Sequence, residues 1–144
     1  MNRKNIIATT SALLILLFLY VAISKLLTFH QFTGAMYNQP LPHWFTSMLL
    51  WLLPLSEITT VLLLYIPRTR LLGFYSSTLL MLLFTGYVAL ILANKFDYIP
   101  CSCGGILKSM GWGTHLFFNL FFLILSITGL IAMRKQGRPP SVVV

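Results

Sequence analysis

The chain has 144 residues, of which 58% are hydrophobic and only 8% charged, too few charges to coat the surface of a soluble globule. Ten Lys and Arg against two acids leave a net charge of +8, a balance that in a soluble protein points to nucleic acid, but a mean hydropathy of +0.87 argues against that partner. The composition fits a chain solvated by membrane lipid, with basic residues facing anionic headgroups.

A bilayer core of about 30 Å takes about 20 apolar residues as a helix, and four stretches of that length are nearly free of charge. The first spans 6–27, with Lys25 as its single charge, close to its end. A cleaved signal peptide fits this stretch less well than an anchor, because the apolar run is long and Lys25 follows it directly. The second spans 43–66 and contains Glu57, the third spans 71–93, and the fourth spans 114–133; the last two carry no charge. Continuous apolar runs, rather than alternation, favour helices over a barrel. The expected fold is therefore all-α: an integral membrane four-helix bundle forming a single domain over 1–144, with 134–144 as a flexible cytoplasmic tail. Short loops marked by Thr33-Gly34, Gln39-Pro40-Leu41-Pro42, Pro67-Arg68 and Gly104-Gly105 join the spans, and no internal repeat is evident.

Arg3, Lys4, Arg68, Arg70, Arg134, Lys135 and Arg138 fall on one side of this arrangement, and Lys25, Lys95 and Lys108 on the other. The bias places both termini in the cytoplasm and the loop between the third and fourth spans outside, in a bacterial inner membrane crossed several times.

That loop carries the only two cysteines, in Pro100-Cys101-Ser102-Cys103-Gly104-Gly105. Thiols one residue apart close on each other only with a bent backbone, and strained, exposed disulfides are the reducible ones. Gly104 and Gly105 let a partner's backbone approach, Lys95 and Lys108 favour thiolate, and Asp97 opposes them. Thiol-disulfide exchange is the chemistry expected. A fixed loop staple, and Cu(I) held by both thiolates with His115 or Met110, are the alternatives, and four ligands for structural zinc are not visible.

Within the spans, His115 and Asn119 share one face of the fourth helix, just below the loop. His115 is placed to take a proton from Cys101 or Cys103, or with Asn119 to hydrogen-bond a ligand such as a quinone carbonyl; both residues also suit plain helix bridging. Glu57 follows Pro54, and a carboxylate at that depth is a functional-site candidate or a helix cross-link. Ser56, Thr60, Thr85 and Tyr87 can complete a polar interior around it. At about 1.5 Å per residue, Glu57 lies about 15 Å or more below the outer end of its helix while Lys25 is near the outer end of the first, so direct pairing requires staggered helices. Gly73, Gly86 and Gly129 read as close helix contacts, and Phe117, Phe118, Phe121 and Phe122 as lipid-facing or packing residues.

Taken together, Ser24-Lys25, Pro54-Leu-Ser-Glu57, Phe84-Thr85-Gly86-Tyr87, the Pro100–Gly105 stretch, and Trp112, His115 and Asn119 resemble the DoxX-like group of small four-helix membrane proteins, and within it the methylamine-utilisation protein MauE branch. The resemblance covers roughly 6–133, with Cys-x-Cys-Gly its most specific part. It implies a redox-associated inner-membrane protein that supports disulfide formation with a thioredoxin-like or secreted thiol partner, and quinone-coupled chemistry among DoxX-type relatives. Cys101 and Cys103 would then be the exchanging pair with His115 beside them, and Asn119, Tyr87 and Glu57 the candidates for holding a quinone. The methylamine label is not transferred to this chain, since one fold hosts unrelated functions. A non-catalytic assembly subunit is the reading from another class.

Overall fold

The computed structural model describes residues 2–94 and 111–137. The described residues form five α-helices: α1 (Arg3–Leu27), α2 (Phe29–Tyr37), α3 (His43–Tyr65), α4 (Arg70–Asn94) and α5 (Trp112–Gln136), with a single 3-10 turn, Pro67–Thr69, between α3 and α4. Four of them, α1, α3, α4 and α5, are long and apolar enough to cross a membrane. Each runs one to three residues beyond the sequence expectation at one end or both, except that α3 stops at Tyr65. Apart from Gly113, the extensions are polar or aromatic residues, which suit a helix end at the membrane surface.

The helices form a ring in which α1 packs on α3 and α5, and α4 packs on α5 and α3. Ile7, Leu64, Phe74 and Ala132 belong to one buried cluster, which brings the start of α1, the α3–α4 turn and the end of α5 to the same end of the bundle. Arg3 Nη1 donates to the Lys135 carbonyl at 3.4 Å, so both terminal segments lie there as well. Arg3, Lys4, Arg68, Arg70, Arg134 and Lys135 therefore share one end, as the charge pattern required. Arg134, Lys135 and Gln136, expected to open a flexible tail, continue helix α5, and the tail from Arg138 onward lies outside the described residues, as do Lys95 and Lys108.

Because lipid tails are as apolar as Leu, helix association in a bilayer depends on close approach and shared hydrogen bonds rather than on the hydrophobic effect. Both devices are present. A Cβ built on Gly73 would sit 2.7 Å from the Leu64 backbone nitrogen, and one on Gly129 would sit 2.2 Å from the Phe74 ring, so both glycines mark tight crossings. Gly86, expected to behave alike, faces open space, with nothing within 4 Å of its missing Cβ. Thr60 and Ser76 hydroxyls join α3 to α4 at 2.6 Å, and the Thr78 hydroxyl donates to Ser126 at 3.2 Å to join α4 to α5.

The connection after α1 departs from expectation. Thr33-Gly34, read as a loop breaker, lies inside helix α2. The chain turns at Thr28, whose N–H still bonds Ser24, and α2 then lays Phe32 and Met36 against Leu50 of α3, with Phe29, Leu49 and Leu53 around them. Nine residues, uncharged but of mixed polarity, are too short to span a bilayer and give only about two turns of periodicity, so the segment is invisible to a search for spans.

Candidate functional site

The end of α1 is set by this cap. Since α2 occupies the layer beside the first half of α3, α1 stops well short of the end of α3, and Lys25 comes level with Glu57. Lys25 Nζ donates directly to Glu57 Oε1, and both residues are buried. The stagger that direct pairing requires is thus present, and α2 supplies it. Pro54, one turn before Glu57, removes an intrahelical N–H bond from α3. Lys25 Nζ also lies 5.8 Å from the centroids of both the Phe32 and Phe84 rings, so two aromatic faces share the cation. Desolvating two charges is costly in a bilayer, and a paired, ring-flanked arrangement offsets that cost without leaving net charge.

Lys25 and Glu57 lie in the wall of a cavity of about 440 Å³ lined by all five helices and the α2–α3 connection. Among the described residues its polar side chains are Lys25, Gln39, Ser56, Glu57, Tyr87, His115 and Asn119, and the others are apolar, including Phe18, Met36, Phe84 and Phe118. Such a space, mostly apolar with few convergent polar groups, has the character of a small-molecule site.

The candidate site residues within the spans meet here. Glu57, Tyr87, His115 and Asn119 come from three different helices to one cavity. His115 and Asn119 are both buried, one turn apart on α5, whose first turn is closed by the His115 N–H bond to Gly111. The Tyr87 hydroxyl donates to Gln39 Oε1, and Gln39 Nε2 donates to the Ala35 carbonyl at 3.1 Å, so this contact ties α4 to the cap. Ser56 lines the cavity, whereas Thr60 turns to Ser76. Thr85 is buried, and its hydroxyl has no partner among the described residues. Of the aromatic run, Phe118 faces the cavity, while Phe117 and Phe121 are exposed on the bundle surface, where lipid packs.

Cys101 and Cys103 lie outside the described residues, as do Asp97, Gly104 and Gly105. Their segment joins the end of α4, which carries Tyr87, to the start of α5, which carries His115. Among the described residues no group of three or more His, Cys, Asp or Glu is placed to hold a metal ion.

Sequence reasoning missed Gln39 and the ring pair around Lys25. Gln39 stands in Asn38-Gln39-Pro40, which reads as a solvated turn, and only the packing of α2 buries it.

A family model described as Methylamine utilisation protein MauE matches residues 3–132. No curated protein and no solved structure matches the chain.

Proposed function

Because the chain belongs to the MauE family of membrane proteins, we propose that it is a thiol-disulfide redox protein of a bacterial plasma membrane, whose Cys101 and Cys103 cycle between dithiol and disulfide on the extracytoplasmic side. The observation that carries this reading is the Cys-x-Cys-Gly-Gly sequence in the segment between Tyr87 and His115, two residues that line the buried cavity. Six described basic residues at the end that holds both termini support a cytoplasmic location for that end and an outward one for the cysteine segment. Outside the cytoplasm, disulfides persist and are exchanged.

The reaction is attack of one thiolate on a partner's disulfide sulfur. The S–S bond of the partner breaks, a mixed disulfide forms, and the neighbouring cysteine displaces the partner as a dithiol while the pair here becomes the disulfide; the reverse sequence oxidises the partner. His115 is the nearest described imidazole in sequence, and its role in this reading is to take the thiol proton. A thioredoxin-fold protein or a secreted thiol protein is the partner. The second thiol of the pair resolves the mixed disulfide, which therefore accumulates only when the resolving thiol is removed.

With Cys101 as the attacking thiol, Cys103→Ala is expected to trap a partner as a reducible, higher-mass adduct on non-reducing gels of acid-quenched cells. Wild type and Cys101→Ala are expected to show little or none. Absence of any adduct from both single variants contradicts the exchange mechanism and favours a fixed staple.

A further inference from the structure

We infer that the cavity is a site for an uncharged, single-chain lipid alcohol, which enters from the bilayer between α3 and α4 and sets its hydroxyl against the Lys25–Glu57 pair. Glu57 Oε2 and Asn119 Nδ2 are buried without a partner among the described residues, and both side chains line the cavity. Inside a bilayer such atoms are costly, and hydrocarbon alone leaves them unsatisfied.

Charge and hydrogen-bond type narrow the ligand. Lys25 already donates to Glu57 Oε1, so the pair is neutral as a whole and Oε2 is an acceptor in need of a donor. A carboxylate ligand places a second anion beside that oxygen, and an ammonium ligand places a second cation beside Lys25; either leaves a net charge in the membrane interior. Esters, ketones and oxidised quinones present acceptors alone and leave Oε2 unmet. A hydroxyl answers both needs, donating to Oε2 while its own oxygen accepts from Asn119 Nδ2 or from a further N–H of Lys25.

The shape of the cavity points to a chain rather than a compact molecule. Phe45 and Glu57 both line it from α3 and are twelve residues apart, about 18 Å at about 1.5 Å per residue. At about 30 Å³ for a water-sized group, about 440 Å³ holds on the order of fifteen such groups, the size of one alkyl chain and too small for a two-chain phospholipid. Leu52 on α3 and Leu83 on α4 line the cavity and are 47% and 60% exposed on the lipid-facing surface, so it meets the bilayer between these helices. The close crossing at Gly73 and the Thr60–Ser76 bond hold α3 to α4 on the side of their short connection, which leaves the opening toward the end that carries α2.

The site goes beyond the exchange reading and does not rest on it. A bound alcohol completes the hydrogen bonding of the Lys25–Glu57 pair without adding charge, while its chain fills the apolar wall formed by Phe18, Val21, Leu53, Leu80 and Phe84.

The test uses the full chain in lipid nanodiscs, photolabelled with a diazirine-bearing long-chain alcohol, with the labelled residues read by mass spectrometry and with tetradecanol, tetradecane, myristic acid and decylubiquinone as competitors. Labelling is expected to saturate, to map to cavity residues such as Leu52, Leu83 and Phe118, and to be displaced by tetradecanol at about tenfold lower concentration than by tetradecane, the effect of about one hydrogen bond. Cys101→Ser combined with Cys103→Ser is expected to label as the wild type does. Asn119→Leu is expected to weaken displacement by tetradecanol about tenfold and to leave displacement by tetradecane unchanged. Leu83→Trp, on the lipid-facing surface, is expected to remove labelling inside the cavity even if Asn119→Leu fails to fold. Labelling of folded wild type that does not saturate, labelling indifferent to both variants, or displacement by any of the other three competitors as strong as that by tetradecanol overturns the proposal.

Discussion

Replacing Glu57 by Leu while Lys25 remains is expected to destabilise the protein by about 3–5 kcal/mol, the loss typical of leaving one member of a buried ion pair without its partner. Lys25 is buried between two phenylalanine rings, and among the described residues Glu57 is the only acidic side chain. Lys25→Met is expected to destabilise as well, since it leaves the Glu57 carboxyl buried without its partner. The combined variant Lys25→Met, Glu57→Leu removes both charges and keeps the volume, so it is expected to recover most of the loss. Unfolding of the four proteins in mild detergent closes a double-mutant cycle, and a coupling of about 2 kcal/mol is the expected result. Additive single effects would show that the two side chains do not interact in the membrane. The same cycle separates structure from chemistry: a stable double variant without disulfide exchange assigns the pair a role in the site, and one with full exchange assigns it to folding.

The second large effect is expected at Gly73. A methyl group there meets the Leu64 nitrogen at 2.7 Å and the Leu63 carbonyl carbon at 2.9 Å, and backbone atoms cannot rotate aside. For Gly73→Ala, α3 and α4 must separate next to their short connection at Pro67–Thr69, which also displaces the Thr60–Ser76 hydroxyl pair one turn away. A loss of about 2 kcal/mol or more is expected, at the upper part of the range for overpacking. Gly86→Ala, on the same helix but with nothing within 4 Å, is the matched control and is expected to be neutral or to gain up to about 1 kcal/mol from helix propensity. Thermal midpoints measured in the same detergent distinguish the two. Equal midpoints for Gly73→Ala and Gly86→Ala would contradict the close crossing of α3 and α4.

What was legible in the sequence was set by long, uniform signals. The four spans followed from windows without charge, because a bilayer tolerates few exceptions over about 20 residues. The convergence of Glu57, Tyr87, His115 and Asn119 was anticipated only in part: a shared face for His115 and Asn119 follows from their spacing, but Tyr87 and Glu57 reach the same cavity through packing that no local pattern states. Helix α2 escaped because nine residues, with a Thr-Gly in the middle, are too short to show a period. Missing α2 hid its consequences too. Without the cap, Lys25 counts as a surface charge at the outer end of α1; with it, Lys25 is a buried cation level with Glu57. The glycines divide for the same reason, since Gly73 on α4 and Gly129 on α5 face a neighbouring helix and Gly86 does not, a distinction made by how each helix is turned rather than by residue type.

The most direct test of the central claim is the redox state of Cys101 and Cys103 in intact cells, fixed by acid quenching and alkylation, with and without a membrane-impermeant reductant. The account predicts a mixture of dithiol and disulfide that shifts fully to dithiol within minutes of adding the reductant and returns when it is washed out. A pair that stays oxidised in its presence is a fixed staple, and a pair that is always reduced does not cycle; either result contradicts the account.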